Sequence, residues 1–463
     1  IRVEIDESEK MQPGEKFYHW EMFGVPVRAE VGPIDLREGQ VTLSERVNLE
    51  RAKVRLEEVV PAIRELFTKI ARELAEHGAT VVRIESHRHP DPLRTAFPMK
   101  DFQSGIDRSA FGAAYNTNKY GLSVDLNTPK GREVGWRLCM WADIVTDGMV
   151  PGTMAKWGLD YESVSKAKPD VVYYSTCQMG QKGPLAQFGG YGAFGTAYGG
   201  YCHLLGWPDG SPLPLYNNYS DFIAPWYCCT TLILALLYRN KTGKGMYLDQ
   251  SQVEAGIQFL GPFILDYTVN GRIASRMGNR DPNMAPHGIY PCQGENRFVA
   301  VAVSNDEEWR GFCKVIGNPA WTQDERFSTF LGRKQNEDEL DRLVTEWTKE
   351  HAAEQIMEMM QQAGVPAGLV QTAEDLFNDP QLKHREHFRF LEHRVIGLMA
   401  YNSPAYRLSK TPNHIWKAGP CLGEDNEYVY KELLGYTDDE IADMLIEGVI
   451  TTDADVPESL REK

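Results

Sequence analysis

The 463-residue sequence has no apolar stretch long enough to span a bilayer. Its longest apolar run, residues 223–238, falls short of the ~20 residues that a membrane helix needs. Positive charge is scarce: 49 lysines and arginines stand against 65 acids, a formal net charge of −16. That balance argues against nucleic acid or an anionic membrane as the main partner. The eight cysteines form no CxxC pair and no framework spacing, so a reducing cytoplasm is expected. The acidic opening IRVEIDESEK reads as no secretory leader. GxSxG, the serine nucleophile elbow, is missing, and Lys244 in TGKG lacks the rest of a phosphate loop. There is no internal repeat and no low-complexity segment. Neither a metal nor NAD is expected.

What is present suits a soluble globular protein, with 42% hydrophobic and 25% charged residues. Residues 1–45 are polar and punctuated by Pro and Gly, and read as an N-terminal extension. Apolar residues at helical spacing follow over 54–77, with Gly78 as the C-cap and ATVVRIES (79–86) as a short strand. The same alternation recurs. GLSVDL (121–126), DIVTD (143–147), DVVYYST (170–176) and MYLDQS (246–251) read as strands. Helices are expected over 129–142, 161–167, 223–239 and 252–268. This is the pattern of a doubly wound, mostly parallel α/β sheet. After residue 270 the character changes. RFVAVAV (297–303), helices over 306–317 and 336–363, and AGVPAGLVQ (363–371) indicate a smaller α+β domain. Thr437 to Glu440 forms a capping box before IADMLIEG.

The resulting division is an extension at 1–45, a large domain beginning at 46–240, a linker at 241–269 and a small domain at 270–370. A second linker and the rest of the large domain occupy 371–463.

Among residues able to carry chemistry, Asp209 stands out. It sits in Trp207-Pro208-Asp209-Gly210, where Pro presets φ, Asp bonds its own backbone and Gly tolerates positive φ. The turn presents a carboxylate on a stiff loop, and on these residues alone Asp209 serves either the turn or a reaction. Gly190 to Gly195 matches GxGxxG but follows no strand directly, so close backbone approach is the better reading. His87-Arg88-His89-Pro90-Asp91 is too loose for a metal site, and reads as a solvated loop or a basic contact. His384 and His387 read as a surface pair. Cys228-Cys229, in an apolar helix, reads as inert packing. Arg83, Arg88, Arg94, Lys119, Lys156 and Lys182 are available to gather an anionic ligand or to serve as ordinary surface charges.

Several phrases in order resemble the class III CoA-transferases, the family of formyl-CoA, carnitine and benzylsuccinate CoA-transferases. They include EHGATVVRIES…DPLR (76–94), NTNKYGLSVDLNTPKGR (116–132), ADIVTD…PG (142–152) and KPDVVYYST (168–176). TGKGMYLDQSQVEA (242–255), GN…APHGIYPC (278–292), AVSNDEEWRGFCKVIG (302–317) and AGVPAG (363–368) continue the likeness. It extends over residues 50 to 445. It implies a large Rossmann-like domain plus a smaller α+β domain, in an interlocked, ring-like homodimer or heterodimer with a related subunit. It implies CoA transfer from an acyl-CoA such as succinyl-CoA to a carboxylic acid, through an aspartyl-CoA thioester. Asp209, in Gly206 to Pro212 after Gly199-Gly200, is the implied nucleophile. Aromatic residues around 191–227 suit an aryl- or alkylsuccinate acceptor, or serve as core. Related racemases place an acid where this chain has Gly190-Tyr191-Gly192, which speaks for transfer over racemisation.

The resemblance also implies CoA contacts at Val60, Arg94, Val124, Asn127, Gly148, Met149, Lys156, Cys177, Gln178 and Met179. Several of these depart from the family. Gly148-Met149 replaces Asn-Phe, Lys156 replaces an arginine, and Cys177 replaces a lysine. Asp281-Pro282-Asn283-Met284 replaces a glycine-rich closing loop. An altered CoA site and a non-catalytic subunit are therefore both open.

Overall fold

The computed structural model describes residues 71–187, 192–215 and 219–460, together with three strands further upstream. Those strands, β1 (Val27–Glu30), β2 (Gln40–Glu45) and β3 (Arg51–Arg55), form an antiparallel sheet in that order. The expected extension is otherwise outside the described residues. The helix expected from Val54 is strand through Arg55, and helix α1 (Ala71–Glu76) carries its last turns. The chain divides into two compact units. One comprises residues 1–175, 227–249 and 386–463; the other comprises 176–226 and 250–385.

In the first unit the α/β alternation takes the expected form. Strand β4 (Val82–Glu85) pairs in parallel with β5 (Tyr120–Ser123), and β6 (Ile144–Asp147) pairs in parallel with β7 (Val172–Cys177). Strand β8 (Met246–Ser251) lies on the far side of β7. The parallel strands therefore form two separate sheets, β4-β5 and β6-β7-β8. Helix α2 (Pro129–Trp141) starts where sequence chemistry places it: Thr128 accepts from the Gly131 amide, and Pro129 opens the first turn. Val134 and Leu138 of α2 pack with Leu122 and Val124 at β5 and with Val429, Tyr430 and Met444 near the C-terminus. A second core joins Val172 and Tyr174 of β7 to Leu232, Ala235 and Leu236 of helix α3 (Tyr219–Thr242). The capping box at Thr437 and Glu440 is present on helix α4 (Asp438–Ile446).

Buried charge ties strand β4 to the later chain. Arg94 is 7% exposed and donates to Glu85, to Asp107 and to the Pro420 carbonyl. Burial alone raises the Glu85 carboxyl, but hydrogen bonds from Arg94 and the Arg83 charge overcome it and hold Glu85 at about 2. His87 is no solvated residue. It is buried, within 3.2 Å of Ser123 Oγ and 3.1 Å of Thr451 Oγ1, and burial lowers its pKa.

The second unit holds an antiparallel sheet, β9 (His287–Pro291), β10 (Phe298–Ala302) and β11 (Ala367–Leu369), in the order β11-β10-β9. Alternation in FVAVA sends Val299 and Val301 into a core with Phe312, Leu340, Ile356 and Met360. Truncating a fully buried phenylalanine such as Phe312 costs roughly 3–5 kcal/mol. No helix among the described residues is long and apolar enough to cross a membrane.

Candidate active site

The turn at Asp209 forms. The Gly210 amide donates to the Trp207 carbonyl at 3.0 Å, which places Pro208 and Asp209 at its two central positions. The glycine with positive φ is Gly206, at 124°, and not Gly210. Gly206 reverses the chain ahead of the turn, and Gly210 only closes it. The Leu213 amide returns to the Leu205 carbonyl at 3.0 Å, so residues 205–213 make a closed loop. Asp209 is exposed at its tip, and its carboxylate has no hydrogen bond or ion pair among the described residues.

The loop is fastened to the start of the segment that leads into β9. The Gly278 amide donates to the Gly206 carbonyl at 2.9 Å, and the Arg276 guanidinium donates to the His203 carbonyl at 3.2 Å. The Trp207 ring lies against Gly278, and a Cβ built on that glycine would sit 2.5 Å from it. Gly278 also lines a cavity of about 550 Å3 in the same unit. Small residues make its walls: Gly288, Ala300, Ala302, Ala367 and Gly368. Its two ionisable side chains are Arg280 and His287. Arg280 is committed to Asp338 at 2.6 Å and Asp341 at 2.9 Å. His287 Nδ1 lies 2.6 Å from the Asn279 carbonyl. A carbonyl only accepts, so Nδ1 carries the proton and Nε2 remains to meet a ligand. Sequence reading passed over His287. Its signal was the phrase APHGIYP, which places a histidine at the first residue of a strand.

The closing loop at Asp281–Met284 is pinned. The Asn283 amide bonds the Asp281 carboxylate at 2.7 Å, and Lys334 Nζ bonds the Asp281 carbonyl at 2.8 Å.

The residues expected to meet CoA have varied settings. Val60 lies outside the described residues. Arg94 spends its guanidinium on Glu85, Asp107 and Pro420, so it is a structural clamp here and not a free cation. The Val124 side chain is core. Asn127, Gly148 and Met149 are exposed after the carboxyl ends of β5 and β6. Lys156 is exposed and has no acidic partner among the described residues. Cys177 ends β7. Gln178 is buried, donates to Gln252 Oε1, and keeps its own Oε1 without a partner. Met179 is half-buried. These positions follow strand ends, the side on which open α/β sheets bind ligands.

Of the six basic residues considered, Arg83, Arg88 and Arg94 are taken by ion pairs, and Lys119 bonds the Tyr115 carbonyl and Asn116 Oδ1. Lys156 and Lys182 remain exposed. Cys228 is inert as expected, since burial pushes its thiol up to about 11. None of the eight cysteines is in a disulfide, and no cluster among the described residues could hold a metal ion. Gly190 and Tyr191 lie outside the described residues, and Gly192 begins the helix Gly192–Tyr198.

Residues 68–426 match the model for CoA-transferase family III. The chain belongs to that family. Residues 1–66 match a different model, the anticodon binding domain. The family III member is 30% identical over 377 residues to succinyl-CoA–D-citramalate CoA-transferase of Chloroflexus aurantiacus, covering 81% of this chain and 92% of that protein. It is 26% identical to the beta subunit of succinyl-CoA–L-malate CoA-transferase of the same organism, over 81% of this chain and 93% of that one. The crystal structure of a CAIB/BAIF family protein from Brucella suis superposes with a TM-score of 0.72 at 28% identity, over 80% of this chain and 95% of that chain. The mixed α/β architecture is thus that of a CoA-transferase of this family.

Proposed function

We propose that this CoA-transferase moves CoA from succinyl-CoA to a dicarboxylic acid, with Asp209 as the carboxylate that is transiently acylated. The observation carrying this reading is the fastening of the Asp209 loop, through Gly206 and Trp207, to Gly278 on the wall of the His287 cavity. In the first step a carboxylate oxygen attacks the thioester carbonyl. The C–S bond breaks, CoA leaves as thiolate and a mixed anhydride forms. The thiolate then attacks the aspartyl carbonyl, releasing succinate and leaving an aspartyl-CoA thioester. The acceptor carboxylate attacks that thioester, expelling CoA thiolate and forming a second mixed anhydride; the thiolate then attacks the acceptor's carbonyl in it, which yields the acceptor's acyl-CoA and frees the Asp209 carboxylate. Each step exchanges one acyl bond for another, so one difficult transfer becomes several easier ones. CoA enters as part of the substrate, and Asn127, Met149, Lys156 and Gln178 are the proposed contacts.

Relatives named for citramalate and malate support a dicarboxylic acceptor. Phe194, Tyr198, Trp207 and Trp226 are each more than half exposed, which supports an aryl-bearing acid as acceptor. A panel of citramalate, malate, glutarate and benzylsuccinate with succinyl-CoA tests both. Formation of the matching acyl-CoA identifies the acceptor, and unchanged succinyl-CoA with all four acids overturns the proposal. Eight cysteines with no disulfide among them suit a reducing compartment.

A second reading rests on one specific observation. The Asp209 carboxylate is exposed and has no preorganised donor, whereas covalent catalysis of this kind relies on donors aimed at the developing oxyanion. On that reading the chain is the non-catalytic partner in a heteromer, as the alpha and beta subunit names of its relatives suggest. Native mass spectrometry separates the two. One chain type with activity supports the first reading; two chain types, with activity unaffected by Asp209→Asn, support the second.

A further inference from the structure

Arg276 stands between two committed arginines. Arg272 pairs with Asp266, and Arg280 with Asp338 and Asp341. Arg276 is half-buried and, in a chain of 65 acids and 49 bases, has no acidic partner among the described residues. Its guanidinium makes one hydrogen bond, from Nη1 to the His203 carbonyl at 3.2 Å. Nε is buried and has no acceptor among the described residues. Buried donors in native proteins are nearly always paired, since an unmade bond leaves the cost of lost solvation standing. Nη2 makes no bond among the described residues and is not buried. Nε and Nη2 share one edge of the guanidinium plane. That edge presents two parallel N–H groups, the fork that matches the two oxygens of a carboxylate. The bond to His203 holds the plane and leaves the fork without an acceptor.

The fork belongs to the loop that carries Asp209. A Cβ on Gly206 would sit 3.0 Å from Arg276 Cδ, so the arginine stem runs against Gly206. Asp209 follows three residues later, at most about 11 Å away along extended chain. The turn from Trp207 to Gly210 shortens that distance. Such a span suits a small acid with two carboxyl groups, one at Asp209 and the other at Arg276. A phosphate of CoA is the poorer match, because the phosphates lie at the end of CoA remote from the thioester.

We propose that Arg276 binds the carboxylate of the dicarboxylic acid that does not react, on donor and acceptor alike. Nη2 meets the incoming acid, and the second oxygen of that carboxylate takes the bond that Nε lacks. Arg276 thereby selects diacids over monoacids and directs the other carboxyl group toward Asp209. The hydrogen bond that His287 offers such an acid carries no fixed charge; Arg276 supplies one. The proposal rests on the reading of Asp209 as the acylated carboxylate and of a dicarboxylic acid as substrate.

The test uses the full chain with succinyl-CoA as donor and compares glutarate with butyrate, which differ by one carboxylate, as acceptors. Unaltered protein should favour glutarate in kcat/KM by roughly 30-fold or more. Arg276→Gln should bring that ratio close to unity. Loss of the His203 bond slows transfer to both acids alike, so the ratio reads the fork and the rate does not. Arg276→Lys keeps the charge and the stem against Gly206 but loses the fork, and should also lower the ratio. It decides the matter by itself should Arg276→Gln fail to fold, with circular dichroism as the check. A ratio unchanged in either folded variant would overturn the proposal and leave the proposed function in place. No preference for glutarate in unaltered protein would overturn the dicarboxylic reading itself, and the role of Arg276 with it.

Discussion

Trp207 occupies the space that a side chain on Gly278 would need. A Cβ on Gly278 would approach its ring to 2.5 Å, and Gly278 has a φ of 63°. The pair fixes the loop that carries Asp209 against a wall of the His287 cavity. Gly278→Ala is therefore expected to displace the loop. Misplacing a reacting group by about 1 Å can cost on the order of 100-fold in rate. Steady-state kinetics should show a loss of that order in kcat, with the overall fold, followed by circular dichroism, unchanged. Wild-type kinetics in Gly278→Ala would disconnect the loop from the chemistry.

Asp209→Asn keeps the size of the side chain and removes the nucleophilic oxygen. Loss of a covalent nucleophile commonly lowers kcat by ~1000-fold or more. Because Asp209 is exposed and has no partner among the described residues, the substitution should leave the melting temperature within about 1 °C. Full activity in Asp209→Asn would assign the chemistry to another carboxylate or to a partner subunit.

His287 offers Nε2 to a ligand because Nδ1 is held by the Asn279 carbonyl. A hydrogen bond to a charged group contributes about 1.5–3 kcal/mol. His287→Ala should raise the KM of a dicarboxylic acceptor by roughly tenfold or more and change kcat much less. The KM of a monocarboxylic acceptor should move little. A uniform fall in kcat with all acceptors would instead mark His287 as structural.

Stability should fall in acid for a definite reason. Burial opposes ionisation of Glu85, but Arg94 and Arg83 hold its folded-state value at about 2, below the ordinary 4.5. The unfolded chain takes up that proton first, so the contribution of Glu85 is complete above pH 4.5 and is lost as pH falls toward 2. The shift corresponds to roughly 3 kcal/mol. Burial also lowers His87 below 6.5, so its contribution declines as pH falls through that value. Asp107 works the other way: burial raises its pKa despite Arg94, and its contribution diminishes as pH rises. Glu85→Gln should destabilise the protein at pH 7 and flatten the decline of the urea midpoint between pH 4.5 and 2.5. An unchanged slope would show that Glu85 does not control the acid transition.

Much of the fold was legible because period and punctuation agree. Thr128-Pro129 starts α2 and Gly78 ends α1 through chemistry that operates within a few residues. Strands 82–85, 144–147 and 172–177 were marked by β-branched and aromatic runs. The helical reading starts too early: Val54 and Arg55 belong to β3, a strand that depends on pairing with β2, which spacing within the segment does not show. Arg94 looked like a ligand cation, because a sequence cannot show that Glu85 and Asp107 already surround it. His87 looked solvated for the same reason, since Ser123 and Thr451 come to it from distant parts of the chain. At the candidate site the Asp209 turn was readable from local residues. Its attachment to Gly278 and the position of His287 were not, because both depend on packing across about 70 residues of chain.

The central claim is CoA transfer itself. Purified protein should be mixed with succinyl-CoA and each dicarboxylic acid in turn, and the thioesters resolved by chromatography and mass spectrometry. The account predicts a new acyl-CoA of the acceptor with equimolar succinate and no net release of free CoA. Hydrolysis of succinyl-CoA to free CoA, or no new thioester with any acceptor, would contradict it.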